Sequence, residues 1–233
     1  MRRSSAYPQN RILLMNPGEE AIIEQISQEI QSLFAGEGTG HDWHHIERVF
    51  RLSLILAGKE NADPFICALG ALLHDIADHK FHPDDLGKNQ RDAQAMMQKY
   101  AVDQKSIQKV IQLIGEISYK GAGVATPVST IEAACVQDAD RLDAIGAIGI
   151  ARAFAYGGSK GRPLYDPDKK PVLHNDFDSY RKDEGHTINH FYEKLLLLKN
   201  RMNTTEGKRI ADERHAFMEL WMARFFGEWE GRC

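Results

Sequence analysis

Apolar residues recur along most of this chain three and four positions apart, and strand-like alternation is scarce. The pattern predicts helices from about Glu19 to Phe34, Trp43 to Gly58, Pro64 to Ala77, Asn89 to Tyr100, Asp103 to Ser118, Thr130 to Tyr156, Asn175 to Lys199 and Thr205 to Glu228. Val49, Leu52 and Leu56 mark the apolar face of the second, and Ile107, Val110, Ile111 and Ile114 that of the fifth. The last carries Ile210, Phe217, Leu220, Trp221 and Phe225 and opens on a Thr204-Thr205-Glu206 cap region. Gly121 to Ser129 and Gly157 to His174 read as linkers, and there is no internal repeat. The expected fold class is all-α.

Four polar residues interrupt apolar faces and point to chemistry. His45 shares a helical face with Val49, Leu52 and Leu56, so its ring is expected to look inward. His74 and Asp75 end the run Leu69-Gly-Ala-Leu-Leu, and His74 shares its face with the small residues Cys67, Gly70 and Ala71. Asp140 lies among Ala133, Val136, Ala144 and Ala147. Burying such groups singly costs several kcal/mol, about 2–7 for a polar group left without a partner, and one ion shared by all four offsets that cost. Two imidazoles and two carboxylates suit Mn²⁺, Fe²⁺, Ni²⁺, Co²⁺ or Zn²⁺ better than Ca²⁺. His41, one turn before His45, is the alternative histidine, though Gly38-Thr39-Gly40 places it at a helix entry with Thr39 or Asp42 as cap. Asp138 and Asp143 compete with Asp140.

These residues resemble the H…HD…D signature of the HD-domain metal-dependent phosphohydrolases. The stretches His45-Ile-Glu-Arg48-Val49, Ala71-Leu72-Leu73-His74-Asp75-Ile76-Ala77-Asp78 and Ala139-Asp140-Arg141-Leu142 are similar to its three core motifs, in the same order. Asp78-His-Lys80-Phe81, Ile117-Ser-Tyr119-Lys120-Gly121 and the run from Asp140 into Asp143-Ala-Ile-Gly are similar to the bacterial branch typified by YedJ and YpgQ. The resemblance implies an HD-domain helical bundle over residues 17–233; residues 1–16 read, from their own composition, as a disordered extension, with Met15 a sensible native start. It implies His45, His74, Asp75 and Asp140 as ligands of one divalent metal ion, Mg²⁺ included among the candidates. It also implies hydrolysis of a small phosphorylated molecule, foremost a nucleoside triphosphate cut to release pyrophosphate. A nucleoside monophosphate phosphatase and a non-enzymatic nucleotide sensor are the alternatives.

The remaining roles combine spacing with that resemblance. Asp78 falls one helical turn from His74 and Asp75, and an acid at this place in related hydrolases moves protons. Arg48, Lys120, Arg141, Lys160 and Arg162 lie in or beside the motifs and offer cations for phosphate, Lys120 first among them, as catalytic as well as binding residue. Asp143 is expected to touch substrate or to support a ligand. Between Asp75 and Asp140 the only histidines are His79 and His82, too near the second motif for a second-metal pair, so one metal is expected and a two-iron oxygenase is disfavoured. Long loops often bind ligands, and in the Gly157–His174 linker Tyr165 is expected to stack on a base.

Composition narrows the partners. At 233 residues and 42% hydrophobic content the chain can bury a full core, and a net charge of −4 provides no general attraction to nucleic acid polymers or anionic membranes. A small-molecule substrate fits better, and a homodimer is compatible with the reading. Cys67, Cys135 and Cys233 form no metal motif, and the first two read as small core residues in a cytoplasmic protein. No run approaches the roughly 18 apolar residues of a membrane span.

Overall fold

The computed structural model describes residues 15–35, 42–77, 87–117, 124–173 and 185–232. They are helical, with no strand among the described residues: α1 (Pro17–Leu33), α2 (Trp43–Glu60), α3 (Pro64–Leu73), α4 (Lys88–Lys99), α5 (Gln104–Ile117), α6 (Ile131–Asp143), α7 (Gly146–Ser159), α8 (Thr187–Glu193), a 3₁₀ helix (Leu195–Arg201) and α9 (Thr205–Trp229). No helix among them is long and apolar enough to cross a membrane. The chain divides into two compact units, one of residues 1–118 and 128–139, the other of 119–127 and 140–233, and the division falls inside the continuous helix α6.

In the first unit α3 is the central element. Every residue from Phe65 to Leu73 is buried, and α1, α2 and α5 all pack against it. Full burial of a Leu or Phe side chain contributes about 1.5–3 kcal/mol. Asp63 starts α3 by accepting the Phe65 and Ile66 N–H groups, with Pro64 at the first helical position, where its missing N–H costs nothing. Asn16 and Glu19 form a capping box on α1. Asp42 caps α2 and accepts the His45 N–H at 2.9 Å, while Thr39 lies outside the described residues. Helix α2 stops at Asn61, whose left-handed φ of 56° ends the repeat. Gln90 ties α4 to α5 by donating to the Ile111 carbonyl at 3.0 Å, and Gln137 of α6 donates to the Glu116 carbonyl at 2.6 Å. Cys67 and Cys135 are buried, and the neighbouring Cys135 thiol with burial holds the Cys67 thiol well above its usual range.

Three expected elements differ. Helix α3 ends at Leu73, with His74 to Ala77 forming a turn. The single helix expected from Thr130 to Tyr156 is two, because Gly146 takes a φ of +76° and breaks the repeat between α6 and α7. Over the described part of 175–199, a short α8 is followed by a 3₁₀ helix.

The second unit is held by aromatic rings. Phe191 stacks on Trp221 at 5.5 Å and 11°, and Phe154 touches Phe191, Trp221 and Phe225. The buried stripe of α9 is Gly207, Ala211, Met218 and Met222, whereas Phe217 and Leu220 of the expected face are exposed, at 44% and 70%. Apolar residues surround much of this 25-residue helix, so their spacing alone did not single out the buried side.

Candidate metal centre

The first turn of α2 carries His45, fully buried with Ile46 and Val49. His74 caps the C-terminus of α3 with backbone angles still helical, φ −61° and ψ −30°. Its Nδ1 lies 2.8 Å from the Ala71 carbonyl. A carbonyl only accepts, so Nδ1 carries the proton, and in the neutral ring Nε2 keeps its lone pair for a metal. Metal-ligating histidines are commonly oriented by such a bond on the far nitrogen.

The two rings meet edge to face, centroids 5.4 Å apart. Both turn Nε2 toward one oxygen of Asp75, at 3.6 Å from His45 and 3.5 Å from His74. Asp140 joins them from α6: one ligand atom each of His45, His74 and Asp140 lies within 4.8 Å of the others. The reason is visible in how α3 and α6 approach. A Cβ on Gly70 would lie 3.4 Å from Val136 Cγ2, so the helices come together there. One turn further along α3 is His74, and one turn further along α6 is Asp140. The donor set is mixed nitrogen and oxygen, the kind that divalent transition ions take.

Of the four expected ligands the cluster therefore holds three, and Asp75 faces both histidines beside them. Asp140 is the carboxylate of the cluster, and neither Asp138 nor Asp143 belongs to it. Asp138 is fully buried. Asp143 is buried within the second unit, where Arg152 donates to its carboxylate at 2.6 Å. Burial lowers the Arg214 guanidinium, and the Asp143 charge opposes that shift. Arg141 is buried and donates to the Arg201 carbonyl and to Thr126 Oγ1, so its guanidinium is structural, contrary to the phosphate role expected for it.

Arg48 is half-buried, one turn along α2 from His45. Lys160 is exposed at the C-terminus of α7, its Nζ 5.7 Å from the Tyr156 ring centroid. Arg162 is half-buried and its backbone N–H donates to the Gly157 carbonyl. Tyr165 is not a free stacking platform: His186, Phe225, Phe226 and Trp229 surround its ring at 5.1–6.2 Å. Asp78 and Lys120 lie outside the described residues, as do His41, His79 and His82.

Sequence reasoning missed Asn89. From α4 its side chain accepts the Ala77 N–H at 2.8 Å and donates to the His74 carbonyl. No local pattern signals a partnership across fifteen residues.

The chain is similar to known proteins over most of its length. The family model described as HD domain matches residues 42–145, a span that includes His45, His74, Asp75 and Asp140. The Bacillus subtilis (strain 168) protein YpgQ is 40% identical over 196 residues, covering 84% of this chain and 87% of that protein. A solved structure of YpgQ in complex with ADP superposes with a TM-score of 0.73 at 36% identity, covering 91% of this chain and 96% of its own. An HD-superfamily hydrolase from Bacillus thuringiensis superposes with a TM-score of 0.71 at 37% identity, covering 91% and 99%.

Proposed function

This chain belongs to the HD-domain superfamily, in its YpgQ-like branch, and from that membership we propose that it is a metal-dependent phosphohydrolase whose substrate is a nucleoside triphosphate, cleaved to the monophosphate and pyrophosphate. The observation that carries the reading is the convergence of His45, His74 and Asp140, three donors on three helices, with Asp75 facing both histidines. Asp75 is the proposed fourth ligand. When bound, a divalent ion lowers the pKa of water and supports charge on a phosphoryl oxygen.

The chain's own residues supply the rest. The Ala71 carbonyl holds the His74 ring in the tautomer whose Nε2 carries the lone pair. Burial of His45 and His74 keeps bulk water off one side of the centre. Asp78, three residues beyond Asp75, is the proposed proton carrier, and Lys120 with Arg48 the proposed phosphate contacts. Lys160 and Arg162 are kept as further phosphate contacts. Asp143 is proposed to support the site through its pairing with Arg152 rather than to touch substrate. The nucleotide reading is supported by the ADP complex of YpgQ.

The test is turnover with Mn²⁺, Co²⁺, Ni²⁺ and Mg²⁺ against nucleoside mono-, di- and triphosphates, resolving orthophosphate from pyrophosphate. Pyrophosphate from triphosphates supports the proposal. Orthophosphate from monophosphates replaces it with a nucleotidase, and no turnover with metal and nucleotide bound replaces it with a sensor.

A further inference from the structure

We propose that Asn89 is a positioning residue of the metal centre, fixing the main chain of the His74–Ala77 turn so that His74 and Asp75 reach an ion in a preset geometry. The inference rests on the metal-centre reading above. Both residues stand just past the last residue of α3, where a helix leaves its final carbonyls without intrahelical partners. Two of those carbonyls are used locally: that of Ala71 by the His74 ring, and that of Leu73 by the Ile76 N–H at 3.4 Å. The His74 carbonyl is met by Asn89 Nδ2, while Asn89 Oδ1 takes the Ala77 N–H at 2.8 Å. One amide thus closes both ends of the four-residue turn, which requires a donor and an acceptor on one short side chain.

The clamp is mounted on a rigid support. Gln90, the next residue, binds the Ile111 carbonyl of α5, and Leu113 of α5 packs on Gly70 of α3. Turn, α4, α5 and α3 therefore form a closed frame within the first unit, with His74 held on one side through its ring and on the other through its carbonyl. A ligand loop whose main chain is fixed in this way loses less freedom when an ion binds.

The experiment uses the full chain stripped of metal with chelator. Mn²⁺ binding is read from the loss of the free Mn²⁺ paramagnetic resonance signal, and ligand geometry from the visible spectrum of saturating Co²⁺. Asn89→Ala is expected to weaken Mn²⁺ binding by about 10–100-fold and to change the Co²⁺ spectrum. Asn89→Leu keeps the shape without the polar atoms, should behave alike, and carries the test if the alanine variant does not fold. Gln90→Ala loosens the mount of α4 on α5 but leaves both Asn89 bonds to the turn, and should lower Tm while costing clearly less Mn²⁺ affinity than Asn89→Ala. Wild-type behaviour in a folded Asn89 variant overturns the proposal, and so does an equal loss of affinity in Gln90→Ala. If the unaltered chain binds neither Mn²⁺ nor Co²⁺, just as His45→Ala and His74→Ala are expected not to, the metal-centre reading itself fails and takes the Asn89 role with it.

Discussion

His45 and His74 present their Nε2 atoms to the same oxygen of Asp75, their rings edge to face at 5.4 Å and an interplanar angle of 68°. Two buried imidazoles gathered about one carboxylate, with a second carboxylate from α6, form a cage whose donors come from separate helices. The Ala71 carbonyl orients the His74 ring, and Asn89 of α4 holds the turn that carries His74 and Asp75.

Asp75→Asn changes charge and hardly changes shape. The variant is expected to lose metal on gel filtration and at least about 10²-fold in turnover while its far-UV circular dichroism stays helical. Metal analysis beside the spectrum checks this. Retained metal with full turnover would sink Asp75 as a ligand.

Gly70→Ala tests the close packing of α5 on α3, one turn before His74. The new Cβ would lie 2.7 Å from Leu113 Cδ2 and 3.2 Å from Cδ1, so Leu113, itself buried, must shift. A loss of about 1–3 kcal/mol is expected from denaturant unfolding. Adding Leu113→Val removes the clashing carbon and should restore part of the loss, a non-additivity that unrelated sites do not show.

Arg152→Ala leaves the Asp143 carboxylate buried without its closest cation. Removing one partner of a buried pair costs about 3–5 kcal/mol, and the nearby Arg214 should hold the loss to the lower end. Asp143→Asn in the same chain is expected to recover stability. Equal unfolding midpoints for Arg152→Ala and wild type would show the pair to be dispensable.

The α1–α4 contact has a defined pH window. Lys99 and then Tyr100 hold the Glu29 carboxyl below its usual range, and Glu29 in turn raises both the Lys99 ammonium and the Tyr100 hydroxyl. The Glu29 contribution is full above the ordinary carboxylate value of about 4.3 and is lost as pH falls through its lower folded value. The Lys99 and Tyr100 contributions are full below their ordinary values of about 10.4 and 10, and are lost as pH rises through the raised folded ones. Glu29→Gln should therefore lower Tm slightly and evenly from about pH 5 to pH 9, with the difference closing at both extremes and shrinking in salt. Thermal melts across pH check it, and a difference that persists below about pH 2 would contradict it.

What was legible in the sequence is what local spacing controls. Helices α2, α4, α5 and α9 start or end within two residues of expectation, because caps such as Asp42 and Thr204 act on their own first turns. His45, His74 and Asp140 were visible as polar residues on apolar faces. Contacts between distant segments were not. The break at Gly146 hides in a run of Ala, Ile and Gly that suits a helix, and only its positive φ reveals it. Tyr165 read as a free aromatic in a loop, yet His186 and the rings of α9 hold it. Arg141 read as a phosphate cation, since nothing in its neighbourhood announces the carbonyl of Arg201 sixty residues on.

The last turn of α6 carries three duties in four residues: Asp140 for the cage, Arg141 for the Arg201 carbonyl and Thr126, and Asp143 for Arg152. Each residue added to a helix rotates everything after it by about 100°. One inserted or deleted residue between Val136 and Asp140 would swing all three side chains off their targets together, whereas the same change in the exposed 167–171 segment would disturb none of them. Three targets at once therefore fix the length of this segment, not only the identity of its side chains.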